Sequence, residues 1–211
     1  VGATNQTLRP FLWRAGKLYP DREIVSRTAE GLERYTYAEY EGRVAQLAGA
    51  LSDAGIGDGD RVATFCWNHN RHFETYFGVP SMGAQLHTIN PLLPDHHIQY
   101  IVENAADRIV FVDPSLAPKL AGAVDEDAFD SVEQFVVMAS AVPDDVGLSP
   151  VTDYESFIAD APDEYDWPDL SEDQPAGMCY TSGTTGQPKG VEYSQQMLWA
   201  HTMATLPESG L

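Results

Sequence analysis

Four short apolar runs, at residues 61–67, 85–89, 109–112 and 134–138, recur through the middle of the chain with a helix-length stretch between each and the next. Runs this short and this apolar read as strands buried on both faces, and the stretches 73–82, 95–104 and 116–123 between them read as helices. Strand, helix, strand repeats imply right-handed crossovers onto parallel neighbours. The expected fold class is therefore α/β, a mainly parallel sheet covered by helices.

Ahead of this pattern, Leu8, Phe11, Leu12, Ala15 and Leu18 fall on one helical face, and Tyr19, Pro20 and Asp21 end that helix. Segments 23–27 and 33–36 bracket a turn at Gly31 and suit a small antiparallel hairpin. A helix over 37–54 follows, with Val44, Leu47, Ala48 and Leu51 facing inward, and 55–60 turns the chain. Behind the pattern, 143–150 and 162–175 are rich in Pro and Asp and are expected as surface connections around a short helical segment at 154–159. With 211 residues, 43% of them hydrophobic, the chain is long enough to bury a core and too apolar to be disordered.

The charge excludes some partners. Asp and Glu number 32 against 12 Lys and Arg, for a net charge of −20, and the only lysines are Lys17, Lys119 and Lys189. Residues 120–188 contain no Lys or Arg but hold acidic groups such as Asp125, Glu126, Asp144, Asp145, Asp163 and Glu164. Such a surface repels nucleic acid and anionic membrane. It is either a solvated face that aids solubility or, the reading favoured here, a halophilic adaptation to multimolar salt, where screening confines acidic self-repulsion to short range. Cys66 and Cys179 form neither a CxxC pair nor a zinc-type spacing and are expected as buried thiols. No apolar run approaches the roughly 20 residues of a transmembrane segment, and no charged-then-apolar leader opens the chain, so a cytoplasmic location is expected.

The most informative segment is YTSGTTGQPKG at residues 180–190. A strand over 176–181 leads into it; 191–193 is apolar, and Ser194 is positioned to cap a helix through Ala204. The loop is thus expected between a strand and a helix. Gly183, Gly186 and Gly190 allow sharp turns that bring N–H groups toward an anion, and Thr181, Ser182, Thr184 and Thr185 add hydroxyl donors. Lys189 supplies a mobile positive charge for phosphate oxygens, in a chain that otherwise avoids lysine. A Walker A loop would need Ser or Thr after its Lys; here Gly190 follows, which disfavours kinase-like and GTPase-like chemistry.

The ordered motif resembles the phosphate loop of the adenylate-forming (AMP-binding) superfamily of acyl-CoA synthetases, luciferases and nonribosomal-peptide adenylation domains. DREIVSR from Asp21, RYTYAEY from Arg34, GDRVATFCWNHNRHFETYFGVPSMGAQLHTINPLL from Gly59 and DRIVFVDP from Asp107 are similar to the N-terminal portion of medium- and long-chain fatty-acyl-CoA ligases. The resemblance covers almost the whole chain; Gln195 stands where many relatives have His. It implies ATP, Mg2+ and coenzyme A as cofactor and co-substrates, a fatty acid as substrate, and an acyl-adenylate on the way to acyl-CoA. Carried over residue by residue, Thr181, Ser182, Gly183, Thr184, Thr185, Gly186 and Lys189 would hold the β- and γ-phosphates.

Residues 1–211 then correspond to the N-terminal part of the adenylating domain. The family's adenine, magnesium and ribose ligands, its C-terminal domain and its catalytic Lys are expected beyond Leu211, so that this chain alone would be inactive in acyl transfer. Alternatives are a luciferase-like or amino-acid-activating relative, or a non-catalytic fragment that forms a homo-oligomer or pairs with a complementing chain. His69 and His72 lack a third metal ligand at a recognisable spacing, adjacent His96 and His97 point apart on a helix, and His87 and His201 stand alone; no metal site is assigned. Glu74 and Asp107 receive no acid/base role for want of a visible partner.

Overall fold

The computed structural model describes residues 5–28, 31–181 and 186–205. Helix α1 (Arg9–Leu18) leads into the antiparallel hairpin β1 (Glu23–Thr28) and β2 (Gly31–Thr36), then α2 (Tyr37–Asp53). Thr36 and Glu39 form a capping box at the start of α2: the Thr36 hydroxyl accepts from the Glu39 N–H, and the Glu39 carboxylate accepts from the Thr36 N–H. Then follow β3 (Arg61–Phe65), α3 (Asn70–Ser81), β4 (Gln85–Thr88), α4 (Asp95–Ala105), β5 (Ile109–Val112), α5 (Ala117–Ala123) and β6 (Gln134–Val137). The chain finishes with β7 (Val151–Asp153), α6 (Tyr154–Ile158), β8 (Pro175–Thr181), β9 (Lys189–Ser194) and α7 (Gln195–Thr205).

Seven of these strands form one sheet in the order β7-β6-β5-β3-β4-β8-β9. Every pairing is parallel except the last, β8 with β9. The expected α/β architecture is present. Alternate residues of the central strands feed two separate cores, as a sheet buried on both faces requires. Val62, Ile109, Phe111 and Val136 pack with Leu47 and Leu51 of α2, Val79 of α3 and Ile158 of α6. Their neighbours Ala63, Phe65, Val110, Val112, Phe135 and Val137 pack with Ile98 and Ile101 of α4 and Leu120 of α5 on the opposite face.

Three expectations change. Strand β7 was not legible, because three residues after a Pro/Asp-rich stretch carry no periodicity of their own; they pair because β6 offers an edge, with Phe135 beside Val151. The connections are not confined to the surface: Val146 and Leu148 of the first enter the α4/α5 core. In the second, Leu170 is buried and Trp167 packs against α1 and α2, tied down by Arg9 donating to the Pro168 carbonyl at 2.7 Å. At the start of α1 and within it, Leu8 and Leu12 are buried as expected, whereas Leu18, the last residue of the helix, remains 48% exposed.

Candidate functional site

The Gly/Thr-rich segment joins β8 to β9. These strands pair antiparallel down to a last rung of Thr181 opposite Lys189, so the segment connects the two strands of a hairpin. This corrects the expectation of a loop between strand and helix: residues 189–194 find the free edge of β8 and become a strand, and the helix starts only afterwards. Ser194 does cap it, its hydroxyl accepting from the Met197 N–H at 3.3 Å. Of the candidate phosphate ligands, Thr181 and Lys189 are exposed and face each other in register, and Gly186 lies in open space, with nothing within 4 Å of where a Cβ would sit. Ser182, Gly183, Thr184 and Thr185 lie outside the described residues.

Gly190 also takes a different part from the one expected. It is a strand residue opposite Tyr180, and a Cβ there would come 3.3 Å from the Tyr180 Cζ and 3.5 Å from the Met178 Sδ. Its small size admits the aromatic ring across the strand pair, the way an aromatic side chain covers a cross-strand glycine. On the other side of Tyr180, the His87 ring of β4 lies with its centroid 5.3 Å away. His87 is fully buried, and its Nδ1 sits 2.8 Å from Oδ2 of Asp107, itself 2% exposed. Burial raises the pKa of the Tyr180 hydroxyl above its ordinary value, opposed by the nearby Arg61 guanidinium. Sequence reasoning passed over His87 and Asp107; the available signal was one imidazole inside an otherwise apolar run and one carboxylate just ahead of another.

The β8 end that carries the loop is the carboxyl end of a strand parallel to β4, the side of an open α/β sheet on which ligands bind. Lys189 makes no ion pair among the described residues, so its ammonium is available to an anion. Three rungs down β9, by contrast, Arg61 Nη2 is 3.5 Å from Oε1 of Glu192, and Gln85 donates to the same oxygen at 3.3 Å. The loop base therefore offers hydroxyl, amide and ammonium donors. A family model described as AMP-binding enzyme matches residues 12–209. The chain belongs to the AMP-binding enzyme family.

Relatives of this AMP-binding chain include the long-chain-fatty-acid–CoA ligase of Thermus thermophilus, 43% identical over 195 residues, which cover 92% of this chain and 34% of the relative. The medium-chain-fatty-acid–CoA ligase of Ectopseudomonas oleovorans is 38% identical over 193 residues, covering 90% and 35%. The chain thus spans about a third of the length of these relatives. Among solved structures, the anthranilate CoA ligase AuaEII in complex with anthranoyl-AMP superposes with a TM-score of 0.78 at 20% identity, covering 92% of this chain and 35% of that one. Apo MatB from Rhodopseudomonas palustris gives 0.73 at 24% identity, covering 97% and 38%. These two likenesses establish the fold.

Elsewhere in the AMP-binding chain, His96 and His97 do not point apart as expected, their ring centroids being 4.3 Å from one another, and two further histidines have local structural tasks. His69 caps α3, its Nδ1 accepting from the His72 N–H at 3.3 Å, and His72 is held between the Trp67 carbonyl and the Thr64 hydroxyl. No group of three or more His, Cys, Asp or Glu suited to a metal ion occurs among the described residues. Glu74, without solvent exposure, accepts from Tyr35, Arg43 and Tyr154, while Cys66 is buried and Cys179 only half-buried. Among the described residues no helix is long and apolar enough to cross a membrane.

Proposed function

We propose that residues 1–211 are the N-terminal part of the adenylating domain of a fatty-acyl-CoA ligase, and that the β8–β9 loop holds the β- and γ-phosphates of ATP. The observation that carries this reading is the complete YTSGTTGQPKG sequence joining β8 to β9, with Thr181 opposite Lys189 as the last rung at the carboxyl end of β8. The 43% identity to a long-chain-fatty-acid–CoA ligase supports the substrate class. In the first step a carboxylate oxygen attacks the α-phosphorus as the bond to the pyrophosphate oxygen breaks. In the second the sulfur of coenzyme A attacks the acyl carbon and AMP leaves. Thr181, Ser182, Gly183, Thr184, Thr185, Gly186 and Lys189 would bind the phosphates, with the Lys189 ammonium stabilising charge that grows on the departing pyrophosphate.

Hydroxyl and ammonium groups at the loop base suit phosphate. The described residues provide no carboxylate cluster for the Mg2+ that accompanies ATP, so its protein ligands are not assigned among them. A cytoplasmic location goes with this reading, and so does halophilic adaptation, supported by the net charge of −20. Carboxylate-dependent ATP–pyrophosphate exchange by the full-length gene product tests the chemistry; exchange with no medium or long fatty acid would overturn the ligase assignment.

A second reading, an interaction fragment that pairs with another copy or a complementing chain, is favoured by one feature. Helix α7 buries only Gln195, leaving Met197 59% and Met203 42% exposed beside β9, which among the described residues has no further strand on its outer side. Sedimentation of this chain as a compact monomer would overturn it.

A further inference from the structure

We propose that His87 is a positioning residue for the phosphate loop, acting through Tyr180. The proposal rests on reading the β8–β9 loop as the phosphate site. Three contacts in series carry it. Asp107 Oδ2 accepts from His87 Nδ1 at 2.8 Å, which fixes the tautomer and the orientation of the ring. The His87 ring meets Tyr180 at 5.3 Å between centroids, tilted by 48°. Tyr180 lies against Gly190, where even a methyl group would press on the phenol at 3.3 Å. The next rung is Thr181 and Lys189, from which the loop departs.

Packing alone does not account for this arrangement. Both His87 and Asp107 lie in the interior, and His87 Nε2 and Asp107 Oδ1 have no hydrogen-bond partner among the described residues. Burying two such groups is costly, and an apolar side chain on β4 would fill the space without that cost. What an apolar side chain lacks is a ring whose orientation is dictated by a second residue. The Asp107–His87 pair gives Tyr180 one seat and so holds the two strands of the hairpin in a single relative position.

The test separates this role from general stability. His87→Asn keeps a donor for Asp107 but removes the ring from Tyr180; Tyr180→Leu removes the same contact from its half-exposed side, so one variant serves if the other does not fold. In this chain, hydrogen exchange of the hairpin amides at 178–181 and 189–192 is expected to accelerate about fivefold in either variant relative to the β5 amides. In the full-length enzyme, KM for ATP in pyrophosphate exchange is expected to rise by about fivefold and kcat to fall by less. The double variant should resemble the single ones, because both remove one contact. Unaltered hairpin exchange, a uniform change across the sheet, or additive effects in the double variant would overturn the proposal. If the wild-type enzyme shows no exchange reaction, the ligase reading fails, while amide exchange at the hairpin still decides the role of His87.

Discussion

Arg43 places its Nε 2.8 Å from Oε1 of Glu74, a carboxylate with no solvent exposure. The same guanidinium extends Nη1 and Nη2 to Glu155 at 2.9 and 3.0 Å, and Arg71 donates to Glu155 as well at 2.8 Å. Helices α2, α3 and α6 are thus joined by charge on one side of the sheet. Replacing Arg43 by Ala leaves Glu74 buried with only the Tyr35 and Tyr154 hydroxyls, and should destabilise the fold by about 3–5 kcal/mol. Glu74→Gln, which removes the charge but keeps the shape, should cost about 1–3 kcal/mol. Urea unfolding of both variants checks the order; equal losses would contradict it.

Acid should destabilise the protein from about pH 6.5 downward. Burial draws the His72 imidazole down to about 4, and burial also lowers His69. With Nδ1 donating to the Trp67 carbonyl, His72 Nε2 accepts from Thr64, and a proton there forces the hydroxyl to turn away. The unfolded chain binds this proton more readily than the folded one. Stability is therefore full above the unfolded value and is lost as pH falls toward 4, by roughly 3 kcal/mol from this group. Glu155 adds to the loss at lower pH: burial raises its carboxyl, but hydrogen bonds from Arg43 and Arg71 prevail and hold it below its ordinary value. His72→Asn, which can still donate to Trp67, should show a shallower fall in urea midpoint between pH 7.5 and 5.

Lys189→Ala should change stability by less than about 0.5 kcal/mol, because the side chain is exposed and makes no ion pair among the described residues. In the full-length enzyme the same change should slow adenylation by about 100-fold, the scale for removing a donor to developing charge. Thermal unfolding and ATP–pyrophosphate exchange measure the two effects; unchanged turnover would remove Lys189 from the phosphate site.

A chain of net charge −20 should gain stability with salt. The melting temperature is expected to rise between dilute buffer and molar KCl, where the screening length falls to about 3 Å. A flat or falling trend would leave acidity as a solubility feature and remove the halophilic reading.

The sequence by itself determined most of the elements. The runs at 61–67, 85–89, 109–112 and 134–138 became β3 to β6 with small shifts at their ends, because apolar periodicity and capping residues act over a few neighbours. It also displayed the whole phosphate motif, since eleven consecutive residues need no fold to be seen together. Tertiary structure decided what depends on distant partners. Strand β7 exists only because β6 has an edge to pair with, and β9 turned an expected loop-to-helix junction into a hairpin because β8 had one too. His87, Asp107 and the segment bounded by Tyr180 and Gly190 are three separate stretches, and only the lateral order β5-β3-β4-β8-β9 brings them side by side. Local pattern selects helix or strand; which side chains meet is a property of the sheet order, and no short window of sequence contains it.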